Sequence, residues 1–278
     1  MLITFIGGGN MASALISGLA NPPRSDLRIR VVEPSESARR RLEETFSLAT
    51  FTDAVSAVEG ADVVLLAIKP QIMSTVLDEL AGHVQPGQLV LSVAAGITMD
   101  SIEAQLGRGQ AVVRCMPNTP ALIGHGITGM VAGRNCNIGQ RSQAEQIMSA
   151  ASEVVWLADE NLMDAVTAVS GTGPAYFFLL TEALAAAARE LGLPAATADR
   201  LAAITCFGAG AMVATSPDEA EELRRRVTSP GGTTEAAMAV LEDGDFRALM
   251  LRAVRAARDR SQELSGQAAD KEEASDDG

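Results

Sequence analysis

Residues 2–12 read Leu-Ile-Thr-Phe-Ile-Gly-Gly-Gly-Asn-Met-Ala, an apolar run that leads into a glycine-rich turn. The run Leu2–Ile6 shows no polar alternation, which is typical of a strand buried on both faces of a parallel sheet. The turn has the spacing G-x-G-x-x-A, at Gly7, Gly9 and Ala12, and a segment of small residues follows it. This order of strand, turn and helix predicts a dinucleotide-binding unit.

Each of the three small residues in this motif is required for a separate structural reason. The first glycine permits a tight turn, the second lets a pyrophosphate approach the backbone, and the small third residue lets helix and strand pack closely. The amides and the dipole at the start of the helix then attract the phosphates.

Further apolar runs, at 28–32, 62–68, 89–93 and 111–115, alternate with helical patterns. Alternating strands and helices predict an α/β fold, a Rossmann-type doubly wound parallel sheet. From Glu160 onward the pattern is helical almost throughout. We therefore expect three parts: a dinucleotide-binding domain at 1–158, an all-α domain at 159–265 for substrate and dimerisation, and a disordered acidic tail at 266–278.

Composition limits the functional classes. The 278 residues are 47% hydrophobic and carry a net charge of -13, so a non-specific nucleic-acid or anionic-membrane surface is not expected. No apolar run reaches the roughly 20 residues of a membrane span, and no basic region resembling a signal peptide opens the chain. Three scattered cysteines and two histidines predict neither a metal site nor a disulfide framework, which favours the cytoplasm.

Two segments of the helical half, 174–191 and 195–214, are apolar around most of their circumference. A helix that is hydrophobic on all sides is buried on all sides. Two such helices in one small domain predict that a second subunit covers them.

The signals for cofactor choice conflict. The second strand ends at Glu33, and an acid at this place normally binds the ribose 2'-hydroxyl of NAD. Arg39, Arg40 and Arg41 in the next helix could neutralise the 2'-phosphate of NADP. A solvated helix face, paired with nearby glutamates, explains these arginines equally well.

Four polar segments could complete a site. Ala67-Ile68-Lys69-Pro70 and Met116–Pro120 follow strands, and ligands of open α/β sheets bind at those strand ends. Ser170–Pro174 and Thr228–Thr234 precede helices, where hydroxyls and amides could hold an anion. One hydroxyl suffices for simple capping, so the surplus favours a carboxylate site in the second of these two segments.

General acids are scarce. The only lysines are Lys69 and Lys271, and neither His83 nor His125 has an evident acidic neighbour. This favours hydride transfer to a carbon that is already electrophilic, because such a reaction needs little proton donation from side chains.

These blocks resemble the Δ1-pyrroline-5-carboxylate reductase family. The resemblance extends to about Leu264 and rests on I-G-G-G-N-M, A-I-K-P and V-R-C-M-P-N-T-P. S-G-T-G-P-A-Y (Ser170–Tyr176) and V-T-S-P-G-G-T-T (Val227–Thr234) are its most specific blocks, because few other Rossmann enzymes carry both.

The resemblance implies reduction of pyrroline-5-carboxylate to L-proline, the last step of proline biosynthesis. It also implies a homodimer through the helical domain, with dimers that can assemble further. NADPH is the expected cofactor on family grounds, with NADH a close alternative because of Glu33. The residues that the family would place at the cofactor are Gly7, Gly8, Gly9, Asn10, Met11, Ala67, Lys69, Pro70 and Asn118. Gly231, Gly232 and Thr233 would hold the substrate carboxylate, and Thr234, the catalytic residue, would hydrogen-bond the ring nitrogen.

Two alternatives stay open. A β-hydroxyacid dehydrogenase shares the plan of a Rossmann domain followed by helices, but that class relies on a lysine in the helical half, where this chain has none before the tail. A dinucleotide-sensing domain would need no second polar site, yet the segments at 170–174 and 228–234 supply one.

Overall fold

The computed structural model describes residues 1–22 and 25–276, with side chains as far as residue 266. Its first half is one eight-stranded sheet in the order β3-β2-β1-β4-β5-β6-β7-β8. The strands are β1 (Leu2–Ile6), β2 (Arg28–Val32), β3 (Ala49–Phe51), β4 (Val63–Leu66), β5 (Leu89–Ser92), β6 (Ala111–Met116), β7 (Gly126–Ala132) and β8 (Ser152–Trp156). The helices between them are α1 (Asn10–Leu19), α2 (Glu36–Phe46), α3 (Ala54–Val58), α4 (Met73–Leu80), α5 (Met99–Leu106) and α6 (Ile138–Met148).

The strand order places a topological switch point between β1 and β4. The chain runs outward from β1 to β3 on one side and from β4 to β6 on the other, and all these neighbours are parallel. A dinucleotide binds at the carboxyl ends of the strands at such a point. The Rossmann-type fold predicted from the sequence is confirmed.

The sequence predicted a parallel sheet, but one strand pair of the sheet is antiparallel. β7 pairs antiparallel with β6, with Val113 opposite Ala132. The segment 117–125 that joins them is too short for a parallel crossover, which needs a dozen or more residues. An apolar run shows that a strand is buried and says nothing of its direction. The sequence also missed β3 and α3, which have three and five residues and are too short to display a clear period.

Two hydrophobic cores cover the two faces of the sheet, which is why its strands need no polar alternation. On one face Ile3 and Phe5 of β1 pack with Leu15 of α1 and Ile147 of α6. On the other face lie Ile6 and Val64 with Leu77 and Ile102. β1 therefore ends in a rigid frame, and the glycine turn that follows it is held in place.

The second half is helical. Its helices are α7 (Met163–Val166), α8 (Gly173–Glu190), α9 (Ala195–Thr215), α10 (Ala220–Arg226), α11 (Thr233–Asp243) and α12 (Phe246–Asp276). A π-helical turn, Thr167–Gly171, joins α7 to α8.

Contacts divide the chain differently from the expected boundary at residue 158. One compact unit contains Met1–Gly171 together with Ala257–Gly278, and the other contains Thr172–Ala256. The difference has a local cause. Met163 is buried in the second core of the sheet, and Ser261 of α12 donates a hydrogen bond of 2.6 Å to Asp164. Because of these contacts, α7 and the end of α12 belong to the same compact unit as the sheet, which we call the nucleotide-binding unit.

The end of the chain also differs from the expected disordered tail at 266–278. Helix α12 continues to Asp276, and residues 277 and 278 lie outside the described part. Residues 266–276 include alanine, glutamine, glutamate and lysine, which favour helix. Within the described ranges, no helix combines the length and apolar character that a bilayer crossing needs.

Candidate active site

The glycine turn between β1 and α1 has the geometry of a phosphate cradle. Gly7 has φ +100°, and a Cβ there would lie 2.5 Å from the carbonyl oxygen of Ala67, so only glycine fits. Gly9 caps α1, and a Cβ added to it would meet no atom within 4 Å. Open space beside Gly9 is what an approaching pyrophosphate requires. The following residues, Asn10 and Met11, lie in the first turn of α1, where amides have no intrahelical acceptor.

The Glu33 carboxylate is tied to this turn. One carboxylate oxygen accepts from the amide of Gly8 at 3.1 Å, and the other accepts from the amide of Ser35 at 3.0 Å. Glu33 thus stands at the end of β2 beside the phosphate cradle, where the sequence predicted a ribose-binding acid.

The arginines of α2 serve different purposes. Arg39 folds back over the end of β2 and donates to the carbonyl oxygens of Glu33 at 2.8 Å and Pro34 at 2.7 Å. Arg40 pairs with Glu36 on the exposed face of the helix. Arg41 is exposed. Of the three arginines, Arg39 is therefore the one whose guanidinium contacts Glu33, the residue that follows β2.

The segment after β4 lies against the glycine turn. The amide of Ala67 donates to Ile6 at 2.8 Å, which continues the strand pairing by one residue. Lys69 is exposed and begins a short 3-10 helix, Pro70–Ile72. These residues occupy the carboxyl edge of the sheet at the switch point, as the sequence predicted.

Asn118, expected to line the cofactor, uses its side chain differently. Its Nδ2 donates to the carbonyl oxygen of Ser170 at 3.2 Å, and its Oδ1 accepts from the amide of Ile127 at 3.0 Å. The amide group therefore joins the end of β6 to the start of β7 and to the π-helical turn. The sequence offered no signal for these two partners.

The segment Ser170–Pro174 is not a free loop before a helix. Ser170 and Gly171 belong to the π-helical turn, and Gly173 already begins α8. The Ser170 hydroxyl donates to the carbonyl oxygen of Val166 at 3.0 Å. π-helical turns are rare and frequently occur at functional sites. Only the glycine content of this segment hinted at unusual backbone.

The segment Thr228–Thr234 does form a loop at the start of α11. Gly231 has φ +70°, and its amide donates to the carboxylate of Glu235 at 2.7 Å. The amide of Gly232 donates to the carbonyl oxygen of Ser229 at 3.0 Å. The amides of both glycines that were expected to bind a substrate carboxylate therefore already have acceptors in or beside the segment. The sequence did not indicate that Glu235 is one of these acceptors.

Thr233 and Thr234 are differently placed. They are the first two residues of α11, where helix geometry leaves amides without intrahelical acceptors. The half-buried Thr234 places its hydroxyl in that same turn. The Glu235 contact involves the Gly231 amide and not the amides of Thr233 or Thr234.

Both histidines are exposed. His83 follows α4 at the amino edge of the sheet, away from the glycine turn, whereas His125 lies between β6 and β7 at the carboxyl edge. Within the described ranges, no group of three or more His, Cys, Asp or Glu side chains could hold a metal ion.

Two of the three cysteines, Cys115 and Cys136, are unsuited to nucleophilic chemistry. Cys115 is buried in β6, and burial raises the pKa of its thiol far above the ordinary value. Burial also raises the pKa of the Cys136 thiol. A thiol that stays protonated is a weak nucleophile, so neither Cys115 nor Cys136 is a candidate nucleophile.

Comparison with known proteins agrees with this geometry. Residues 160–264 match the family model described as pyrroline-5-carboxylate reductase dimerisation, and residues 2–96 match one described as NADP oxidoreductase, coenzyme F420-dependent. The pyrroline-5-carboxylate reductase of Pseudomonas aeruginosa is 47% identical over 95% of this chain and 97% of its own length. That of Corynebacterium melassecola is 41% identical over 94% and 98%.

Solved structures show the same relationship. The chain matches a pyrroline-5-carboxylate reductase from Coxiella burnetii with a TM-score of 0.88 and 42% identity, over 95% of this chain and 98% of that one. It matches the Plasmodium falciparum pyrroline carboxylate reductase, solved with NADP bound, with a TM-score of 0.83 and 28% identity over the same shares. Near-complete coverage at such identity establishes that this chain belongs to the pyrroline-5-carboxylate reductase family.

Proposed function

We propose that this protein reduces Δ1-pyrroline-5-carboxylate to L-proline with NAD(P)H. Two features of the chain support the proposal. The glycine turn has open space beside Gly9 for a pyrophosphate, and the first-turn amides of Thr233 and Thr234 at the start of α11 can bind a carboxylate. The reductases at up to 47% identity support the same substrate. In the reaction the ring nitrogen carries a proton, C5 accepts a hydride from NAD(P)H, and the protonated C=N bond becomes the secondary amine of proline.

The direct test is turnover. Purified protein should oxidise NADPH in the presence of pyrroline-5-carboxylate and release L-proline. NADH is assayed in parallel, and a β-hydroxyacid serves as the competing substrate in the oxidative direction. Turnover of the hydroxyacid alone would overturn the proposal.

At the cofactor site, we propose that Gly7–Met11 line the pyrophosphate and that the amides of Gly9, Asn10 and Met11 hold it. The amides of Gly7 and Gly8 donate to Val32 and Glu33, so these two residues shape the turn. The bound cofactor supplies the hydride. Ala67, Lys69 and Pro70 line the cleft next to the turn, where the carboxyl ends of β1 and β4 meet. Lys69 adds a positive charge at that edge.

At the substrate loop, we propose that the amides of Thr233 and Thr234 receive the carboxylate, strengthened by the dipole of α11. Gly231 and Gly232 shape the loop, and the Gly231 amide becomes available only if Glu235 releases it. The Thr234 hydroxyl hydrogen-bonds the ring nitrogen. A protonated cyclic imine is already a good hydride acceptor, so the protein mainly aligns the two carbons.

We propose NADPH as the preferred cofactor, with NADH as the close alternative. The related Plasmodium enzyme was solved with NADP, and Arg39 lies at the end of β2. The Glu33 carboxylate stands beside the same strand end and would repel a 2'-phosphate.

Replacing Glu33 tests this assignment. Glu33→Ser should shift the ratio of catalytic efficiencies toward NADPH. Because Glu33 also accepts from Gly8 and Ser35, the uncharged Glu33→Gln is the matched variant that keeps an acceptor. Side-by-side kinetics measure the ratio, and an unchanged ratio in both variants would show that Glu33 does not face the ribose.

We further propose a homodimer formed by the helical half, with dimers that can assemble further. Helices α8 and α9 expose large apolar side chains, such as Phe178 at 66% and Phe207 at 64%. A patch of this kind is typical of an interface. The matched dimerisation model starts at residue 160, which supports a functional division into 1–158 and 159–265.

Light scattering tests the assembly. A mass of at least twice the 28.9 kDa of one chain is expected. A Phe178→Asp variant should lower that mass, because a buried unpaired charge is costly at an apolar interface. A monodisperse monomer of the wild type would contradict the proposal.

We place the reaction in the cytoplasm. Cys115, Cys136 and Cys206 are free thiols, which suits a reducing compartment. Fractionation of the producing cell tests this placement.

A further inference from the structure

Asn118 is a buried polar residue whose two amide atoms are both used. The residue is only 8% exposed. Its Nδ2 reaches the Ser170 carbonyl oxygen and its Oδ1 receives the Ile127 amide, at 3.2 Å and 3.0 Å. Ser170 is 52 residues away along the chain, so this contact holds together segments that are distant in sequence.

The contact lies at a defined place in the nucleotide-binding unit. Asn118 follows β6 at the carboxyl edge of the sheet, on the side of the switch point that contains β4, β5 and β6. In a doubly wound sheet the two halves each hold one nucleotide of the cofactor. The glycine turn and Glu33 belong to the half with β1 and β2, which leaves the β4–β6 half for the nicotinamide.

The π-helical turn is packed closely against this edge. A Cβ on Gly171 would lie 2.5 Å from the Met116 side chain, and one on Gly129 would lie 2.7 Å from Val166. Gly171 of the turn therefore approaches the end of β6, and Val166, the last residue of α7 before the turn, approaches the middle of β7 at Gly129. Asn118 adds a directional bond to that packing, and its acceptor is a backbone carbonyl of the turn.

We propose that Asn118 is a positioning residue, which fixes the π-helical turn Thr167–Gly171 as a wall of the nicotinamide end of the cleft. This inference rests on the proposed reductase function. Asn118 acts through Ser170 and the turn, because its Nδ2 and its Oδ1 each already bond to the protein backbone. Hydride transfer depends steeply on alignment, since a displacement of about 1 Å can cost on the order of 100-fold in rate. Loss of the bond is therefore expected to slow the hydride step more than it weakens cofactor binding.

Two variants separate positioning from other roles. Asn118→Ala removes both hydrogen bonds, whereas Asn118→Asp keeps an oxygen for the Ile127 amide and replaces the donor to Ser170 with a second carboxylate oxygen, which repels that carbonyl. Asn135→Ala is the matched control. The Asn135 side chain also donates to backbone carbonyls, of Arg108 and Gln110, but at the amino edge of the sheet.

Three readouts are measured on the full chain: kcat at saturating NADPH and pyrroline-5-carboxylate, the dissociation constant of NADPH from its fluorescence, and the kinetic isotope effect with NADPH deuterated at C4. Both Asn118 variants should lose kcat by roughly tenfold or more and show a larger isotope effect. Their NADPH dissociation constant should stay within about twofold of the wild type. Asn135→Ala should lower the melting temperature without changing kcat.

Other outcomes overturn the inference. An NADPH dissociation constant that rises in step with the loss of kcat/KM would make Asn118 a direct cofactor ligand. A folded Asn118→Asp variant with wild-type kcat would leave only a structural role, and this variant decides the question even if Asn118→Ala does not fold. Absence of turnover in the wild type would overturn the proposed function and this inference with it.

Discussion

Replacing Gly9 with valine should abolish cofactor binding while the protein stays folded. A Cβ at Gly9 meets no protein atom within 4 Å, and its φ of -72° is accessible to any residue. A valine side chain would therefore fit the fold and fill the space that the pyrophosphate needs. The measurement is NADPH titration by fluorescence, with circular dichroism to confirm the fold.

Gly7 supplies the matched contrast within the same turn. Its φ is +100°, and a Cβ at this position would lie 2.5 Å from the Ala67 oxygen. Gly7→Val should therefore damage the fold itself. Comparison of the two variants thus separates an effect on cofactor binding from an effect on folding. A Gly9→Val protein that binds NADPH normally, with a wild-type spectrum, would show that the pyrophosphate lies elsewhere.

Thr234→Ala should lower catalytic efficiency substantially, by about 1–3 kcal/mol in transition-state terms, as for a lost hydrogen bond to a charged group. Thr234 is half-buried in the first turn of α11, and its hydroxyl can accept from the protonated ring nitrogen. Thr234→Ser keeps the hydroxyl and should retain most of the activity. Steady-state kinetics with pyrroline-5-carboxylate give the comparison.

The histidines are the controls for this mechanism. His83 lies at the opposite edge of the sheet, and His125 is exposed. His83→Ala and His125→Ala should therefore leave the chemical step nearly unchanged. Activity lost by several orders of magnitude in either histidine variant, beside a near-normal Thr234→Ala, would mean that a histidine acid donates the proton.

The two loop glycines show how a site can be recognised in sequence and still differ in detail. Two glycines before a helix indicated amides for a carboxylate, and the loop does precede α11. The structure shows that Glu235 holds the Gly231 amide. A rotamer choice decides that contact, and the residue pattern does not reveal it.

Much of the nucleotide-binding unit could be predicted from local patterns. The limits of β1 and β2 agree with the expected residues, because apolar runs and glycine turns act between residues close in the chain. The need for glycine at position 7 is equally local in origin, since a tight turn demands a positive φ. Local patterns in the sequence were therefore enough to predict the fold class, the phosphate turn and the family.

Three features could not be predicted from the sequence and became visible in the tertiary structure. They are the direction of β7, the packing of residues 159–171 with the sheet, and the hydrogen-bond partners of Asn118. Each depends on which donors, acceptors and apolar surfaces meet after the chain has folded. The Asn118 amide could have served a ligand equally well by its chemistry. Its use was settled when packing brought a carbonyl 52 residues away within 3.2 Å, because a buried amide must be satisfied by whatever the fold places beside it.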